Sequence, residues 1–316
     1  MAALAIETKG VVRKFGDFTA VNGLSLKIKE GELFGFLGPN GAGKTTTIRM
    51  LTTLTPLSAG SARVGGFDVQ EQSAKVRAII GVVPQSFALF DELTPMENLW
   101  FIGKLFGMEK QESTRRGEEL LKIVGLLDKK DVVCAGFSGG MKQRLSVAAG
   151  LLHEPKILFM DEPTTGLDPQ SRIALRELTK KLNARGITVV YTTHDMEEAD
   201  KLCDRIAVMD LGKIIAEGTP EELKREHGGG NLLKLKLDAG DVDEKLLQAL
   251  KKLAGATSIK SKGGEVELHV KNTLGGVVHK VSSFLNSRKV RVHELNVSEP
   301  TLEQVFINLT KKDLHE

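Results

Sequence analysis

Short apolar runs without strict alternation recur along the first two thirds of the chain: LFGFL at 33–37, AIIGVV at 78–83, KILFM at 156–160, ITVVY at 187–191 and RIAVM at 205–209. Runs of this length bounded by Gly, Pro or Asp suit strands covered on both faces. With helical patterns between them they predict an α/β fold around a mostly parallel sheet. From 87 to 152 the pattern turns helical, most clearly in ENLWFIGKLF and RRGEELLKIVGLL, which predicts a helical insertion between strands. HGGGN at 227–231 is a glycine-rich break where the composition shifts, so a first domain is expected over 1–226 and a second over 231–316. Beyond the break, LKLKL (233–237), EVELHV (265–270) and KVRVHEL (289–295) alternate with the period of half-exposed strands, and DEKLLQALKKL reads as a helix. In the last segment Pro300 stands at an expected first helical position and Leu302, Val305, Phe306 and Leu309 share one face. The result is a small α+β domain of βαββαβα order.

The phosphate chemistry changes this picture from a fold to a machine. GPNGAGKT, Gly38 to Thr45, fits G-x-x-x-x-G-K-[ST] and lies between the strand LFGFL and the helical TTIRML. Its backbone, over Gly38, Pro39, Asn40, Gly41, Ala42, Gly43, Lys44, Thr45 and Thr46, is expected to turn N–H groups onto the phosphates of a nucleotide. Lys44 reaches the β/γ oxygens and Thr45 supplies an oxygen to Mg²⁺. KILFMDEP ends a buried strand in two carboxylates, of which Asp161 is expected in the Mg²⁺ shell and Glu162 as the base that orients water.

Composition narrows the partners. The 316 residues carry a formal net charge of +3, with interspersed charges, one Trp and one Tyr, a poor match to a nucleic-acid binder. Two cysteines, Cys134 and Cys203, stand far apart, which suits buried structural thiols rather than a metal site or a disulfide framework. MAALAIETKG lacks a basic n-region, and no run approaches the ~20 apolar residues of a membrane span. Work at a membrane is therefore expected through another chain, at the cytoplasmic face.

Further residues resemble one family, the ATP-binding cassette (ABC) ATPases. Gln85 in VVPQ is similar to the glutamine that senses Mg²⁺ and the attacking water; Asp168 in GLD resembles the loop that meets a second cassette; His194 in TTHD resembles the switch histidine at the γ-phosphate. Phe15 stands where the family places an aromatic to stack on adenine, with core packing as the other reading. FSGGM at 137–141 resembles the signature motif, whose Ser138, Gly139 and Gly140 would contact ATP held by the phosphate loop of a second copy. Phe137 and Met141 depart from the commonest form, LSGGQ; Met141 falls in a stripe with Leu145, Ala148 and Leu152 and is expected to pack on the helix face. The resemblance implies a homodimer with two composite ATP sites, powered by ATP and Mg²⁺. SGGM followed by Lys142 and Arg144, with the tail SEPTLEQVFINLT, resembles the daunorubicin-resistance exporter branch, which implies a separate ABC-2 type permease and an accessory C-terminal domain. Phe87, Leu89 and Phe90 are expected either in an exposed loop that meets the permease or in the core of the insertion. The alternative, a non-transport cassette acting on ribosomes or DNA, would carry paired cassettes or a long coiled coil, and neither an internal repeat nor sustained heptads occur.

Overall fold

The computed structural model describes residues 3–270 and 274–313. Two long antiparallel strands come first, β1 (Leu4–Phe15) and β2 (Phe18–Lys29), closed by a two-residue turn in which Gly16 has φ +58°. β3 (Leu33–Leu37) leads into α1 (Lys44–Leu51), and β4 (Ala59–Val64) and β5 (Phe67–Asp68) complete an antiparallel sheet ordered β2-β1-β4-β5. α2 (Ser73–Ile79) runs directly into β6 (Ile80–Val83). The helices α3 (Pro95–Leu105), α4 (Lys110–Ile123) and α5 (Gly139–Leu151) then form the insertion anticipated over 87–152.

Beyond it come β7 (Ile157–Asp161), α6 (Pro169–Asn183), β8 (Thr188–Thr193), α7 (Met196–Leu202), β9 (Arg205–Asp210) and β10 (Lys213–Gly218). They finish a six-stranded sheet ordered β10-β9-β3-β8-β7-β6, parallel except at β10. All residues of β3, β7 and β8 are buried, as expected of strands sandwiched between layers. Phe34, Phe36, Phe159 and Val190 pack there with Ile48 and Met50 of α1. One predicted strand is shorter than its apolar run: Ala78 and Ile79 end α2, and pairing with β7 starts at Ile80. Ile79 is apolar because it packs against the core from a helix, so AIIGVV spans two elements. Both thiols are buried, and burial foremost pushes that of Cys134 up to about 11.

The chain divides into two units, Met1–Thr219 and Pro220–Glu316. In the second, α8 (Pro220–His227) is followed by β11 (Asn231–Leu237), α9 (Glu244–Ala254), β12 (Ala256–Lys262), β13 (Glu265–Val270), α10 (Leu274–Ser287), β14 (Val292–Ser298) and α11 (Leu302–Asp313). From β11 onward this is the βαββαβα order read from the pattern, on an antiparallel sheet ordered β12-β13-β11-β14. The expected boundary at 226 falls one helix late. α8 packs on α11, and Asn308 Nδ2 donates to the His227 carbonyl at 2.8 Å, so the glycines of HGGGN make a turn inside the second unit. Pro300 precedes α11 rather than starting it: Thr301 and Gln304 cap each other reciprocally, a capping box that fixes the helix start after the proline.

Candidate active site

The phosphate loop joins the end of β3 to α1, at the carboxyl edge of the parallel strands where such sheets take ligands. Two glycines are dictated by space. A Cβ on Gly38 would lie 2.2 Å from the Met209 carbonyl oxygen, and one on Gly43, at φ +100°, 2.6 Å from that of Ala20. Lys44, 4% exposed, folds back into the loop: its Nζ donates to the carbonyls of Gly38 (2.7 Å) and Pro39 (2.9 Å) and pairs with Glu162 Oε1 at 3.0 Å. A buried ammonium inside a turn at a helix N-terminus is a site built for anionic oxygens, so the chain's own groups fit a nucleotide phosphate.

β7 delivers Asp161 and Glu162 beside this loop. Thr45 Oγ1 donates to Asp161 Oδ1 at 3.1 Å, which puts a hydroxyl and a carboxylate on one side of the loop, a donor pair suited to Mg²⁺. The parallel register sets Asp161 against Thr192 of β8. Thr192 Oγ1 donates to Asp161 Oδ1 (2.7 Å) and accepts from the Glu162 N–H (2.8 Å). Glu162 is a non-glycine residue at φ +44°, a left-handed backbone that surrounding structure must hold in place. His194 Nδ1 lies 3.1 Å from its Oε2, and Thr165 Oγ1 donates to the same oxygen at 3.3 Å. Burial pushes the Glu162 carboxyl up, but hydrogen bonding and charge from Lys44, with His194 behind, outweigh it and hold the group below the ordinary glutamate range.

Lys44, Thr45, Asp161, Glu162 and His194 are thus brought into one constellation. Ser138, Gly139 and Gly140 are not. Ser138 caps α5, accepting from the Met141 N–H at 3.3 Å, and both it and Gly139 are exposed. Gly140 abuts the start of α6 so closely that a Cβ there would lie 2.2 Å from Ser171 Oγ. Asp168 caps α6, and hydrogen bonds from the side chain and backbone of Ser171 hold its carboxyl low. Among the described residues no hydrogen bond or ion pair joins 138–140 or Gln85 to the phosphate loop, and Gln85 is exposed. Phe15 is 49% exposed, which removes the core reading, and the Arg13 guanidinium sits 4.3 Å from its ring centre. Phe87 and Phe90 are exposed, and Leu89 is half-buried. Met141 is half-buried, while Leu145, Ala148 and Leu152 of its stripe are buried. The pattern passed over Thr192 and the buried Thr164, Thr193 and Glu198; their placement depends on strand order, which local sequence does not carry.

Comparison with known proteins matches residues 21–165 to "ABC transporter" and residues 218–310 to "ATP-binding protein DrrA1-3-like, C-terminal domain". The linearmycin resistance ATP-binding protein LnrL of Bacillus subtilis is 40% identical over 98% of this chain and 100% of its own length. The daunorubicin resistance ATP-binding protein DrrA3 of Streptomyces coeruleorubidus is 39% identical over 99% and 98%. Among solved structures, the cassette MJ0796, described as dimeric and bound to ADP and Pi after hydrolysis, superposes with TM-score 0.61 at 30% identity, over 68% of this chain and 98% of that one. CbiO1 from Clostridium perfringens superposes with TM-score 0.66 at 29% identity, over 71% and 92%. Likeness over full length to such relatives, on a fold with this phosphate loop and paired carboxylates, makes the chain a member of the ATP-hydrolysing subunits of ABC transporters, in their DrrA branch.

Proposed function

We propose that this chain is the motor of an exporter, hydrolysing ATP in a two-fold, head-to-tail pair that drives a separate ABC-2 type permease from the cytoplasmic face of the membrane. In this reading Phe15 stacks on adenine, residues 38–46 cradle the phosphates, and Lys44 leaves its own carbonyls for the β/γ oxygens. Thr45, Asp161 and Gln85 hold Mg²⁺. Glu162 accepts the proton of the attacking water, with His194 beside it near the γ-phosphate. Ser138, Gly139, Gly140 and Asp168 of the second copy close the site. The observation that carries this reading is the separation of the two phosphate grips: 138–139 are exposed at a helix start and bonded to nothing in their own phosphate loop. Their ligand is then the nucleotide of the other copy.

A surface groove of about 270 Å³, lined by Leu54, Ile80, Val82, Pro84, Ile102 and Phe106 among others, suits an apolar permease segment. No helix of the described residues is long and apolar enough to cross a membrane, in keeping with a partner that supplies the path. Likeness to linearmycin- and daunorubicin-resistance proteins supports a drug or lipid-like cargo.

The test uses the full chain carrying Glu162→Gln with MgATP. It is expected to keep nucleotide affinity, lose hydrolysis by about a thousandfold and form a stable dimer by light scattering. Asn40→Cys on one copy should then cross-link to Ser138→Cys on the other, only with MgATP. A protein that stays monomeric at saturating MgATP, or cross-links equally without it, overturns the reading.

A further inference from the structure

Glu198 is a carboxylate, 3% exposed, that none of the ion pairs among the described residues includes. Burying such a group without a cation is costly unless its oxygens are satisfied. Three hydroxyls converge on it. Thr164 Oγ1 donates to Oε2 at 3.0 Å, Thr193 Oγ1 to the same oxygen at 2.8 Å, and Tyr191 Oη to Oε1 at 2.8 Å. All three donors are buried. The backbone N–H of Glu198 is fixed in turn by the Asp195 side chain, which caps α7 at 3.0 Å.

The places of the donors are what matter. Thr164 lies two residues after Glu162 and four before Asp168 on the segment leaving β7. Thr193, the last residue of β8, immediately precedes His194. One oxygen of Glu198 therefore ties together the two stretches of chain whose tips make the Glu162–His194 contact at 3.1 Å. Glu162 occupies a left-handed backbone at φ +44°, so it depends on restraints on both sides. Thr192 Oγ1 supplies the one at its own N–H, and Thr164 the one beyond it.

We infer that Glu198 is a positioning residue for ATP hydrolysis: through Thr164 and Thr193 it holds the Glu162 and His194 segments in mutual register. It touches neither nucleotide nor reacting atoms in this reading. Its effect falls on the rate of the chemical step and leaves nucleotide binding alone, because Thr193 meets the phosphate loop through its main-chain carbonyl, which accepts from the Gly38 N–H at 3.3 Å, and not through the hydroxyl that Glu198 holds. The inference rests on the roles given above to Glu162 and His194.

The measurement is steady-state MgATP hydrolysis by the full chain, with nucleotide affinity and thermal melting recorded for each variant. Thr164→Val keeps shape and removes the hydroxyl; kcat is expected to fall at least about tenfold with KM within about twofold, and Thr164→Ser is expected to restore it. Tyr191→Phe removes the donor to Oε1 and leaves both bonds to Oε2 in place, so it is expected to keep kcat within about threefold even if it melts earlier. If the valine variant does not fold, Glu198→Gln, which keeps the volume, takes its place with the same expected split. A folded Thr164→Val protein with kcat within twofold of the parent overturns the inference, as does a parallel loss in the valine and serine variants. Glu162→Gln runs alongside: if it hydrolyses normally, the assignment of the base fails, whereas an inert Glu162→Gln with an unaffected Thr164→Val refutes only the positioning role.

Discussion

Lys44 and Glu162 form an ion pair shut away from water, with side chains 4% and 8% exposed. Removing one member of such a pair costs more than the pair contributes, because the other charge stays buried alone. Lys44→Met is therefore expected to destabilise the nucleotide-free chain by about 3 kcal/mol at pH 7. The pH dependence follows from the depressed Glu162 carboxyl. Its contribution is fully present above the ordinary glutamate value of 4.5 and is lost as pH falls through the lower folded value. The gap between parent and variant in denaturant melts should thus be widest near neutrality and narrow below pH 4.5; a gap that does not change with pH would contradict the pairing. Phosphate chemistry was legible here because Gly-Lys-Thr and Asp-Glu declare themselves locally. Thr192 was not, since its bond to Asp161 exists only once β8 lies beside β7.

At the scale of elements, the strands that carry the site read directly from their apolar runs, because buried parallel strands need no alternation. β1 and β2 escaped that reading. In β1 the register shifts at Thr8/Val11 and Val11/Arg13 break the alternation, and in β2 it is confined to the last six residues, where buried Leu24, Leu26 and Ile28 alternate with exposed Ser25, Lys27 and Lys29. The groove beside β6 was likewise invisible, since Leu54, Pro84 and Phe106 come from three separate segments. Leu54 lines it while 64% exposed, so a charge there leaves the fold intact. Leu54→Lys is expected to cut transport at least about tenfold in the assembled system while the ATPase rate of the isolated chain stays within about twofold. Equal loss of both activities would place Leu54 in the ATPase itself.

At the scale of the whole molecule, the two units have separate cores. Leu233, Leu235, Leu250, Val266, Leu268 and Val281 pack together within the second unit, against the four-stranded sheet ordered β12-β13-β11-β14. A fragment spanning 220–316 is expected to fold alone and melt cooperatively, monitored by circular dichroism; a broad, non-cooperative melt would mean that its core is incomplete. The first unit holds a different lesson in the contact between Gly140 and Ser171, where not even a methyl group could be inserted. The helix that presents the SGG amides and the helix that follows the GLD loop are meshed like gear teeth, and the GLD loop descends directly from Glu162. In the proposed head-to-tail pair a shift at one ATP site would reach the clasp offered to the other through this contact, so the ATP dependence of hydrolysis is expected to be sigmoidal, and a hyperbolic dependence would count against that coupling.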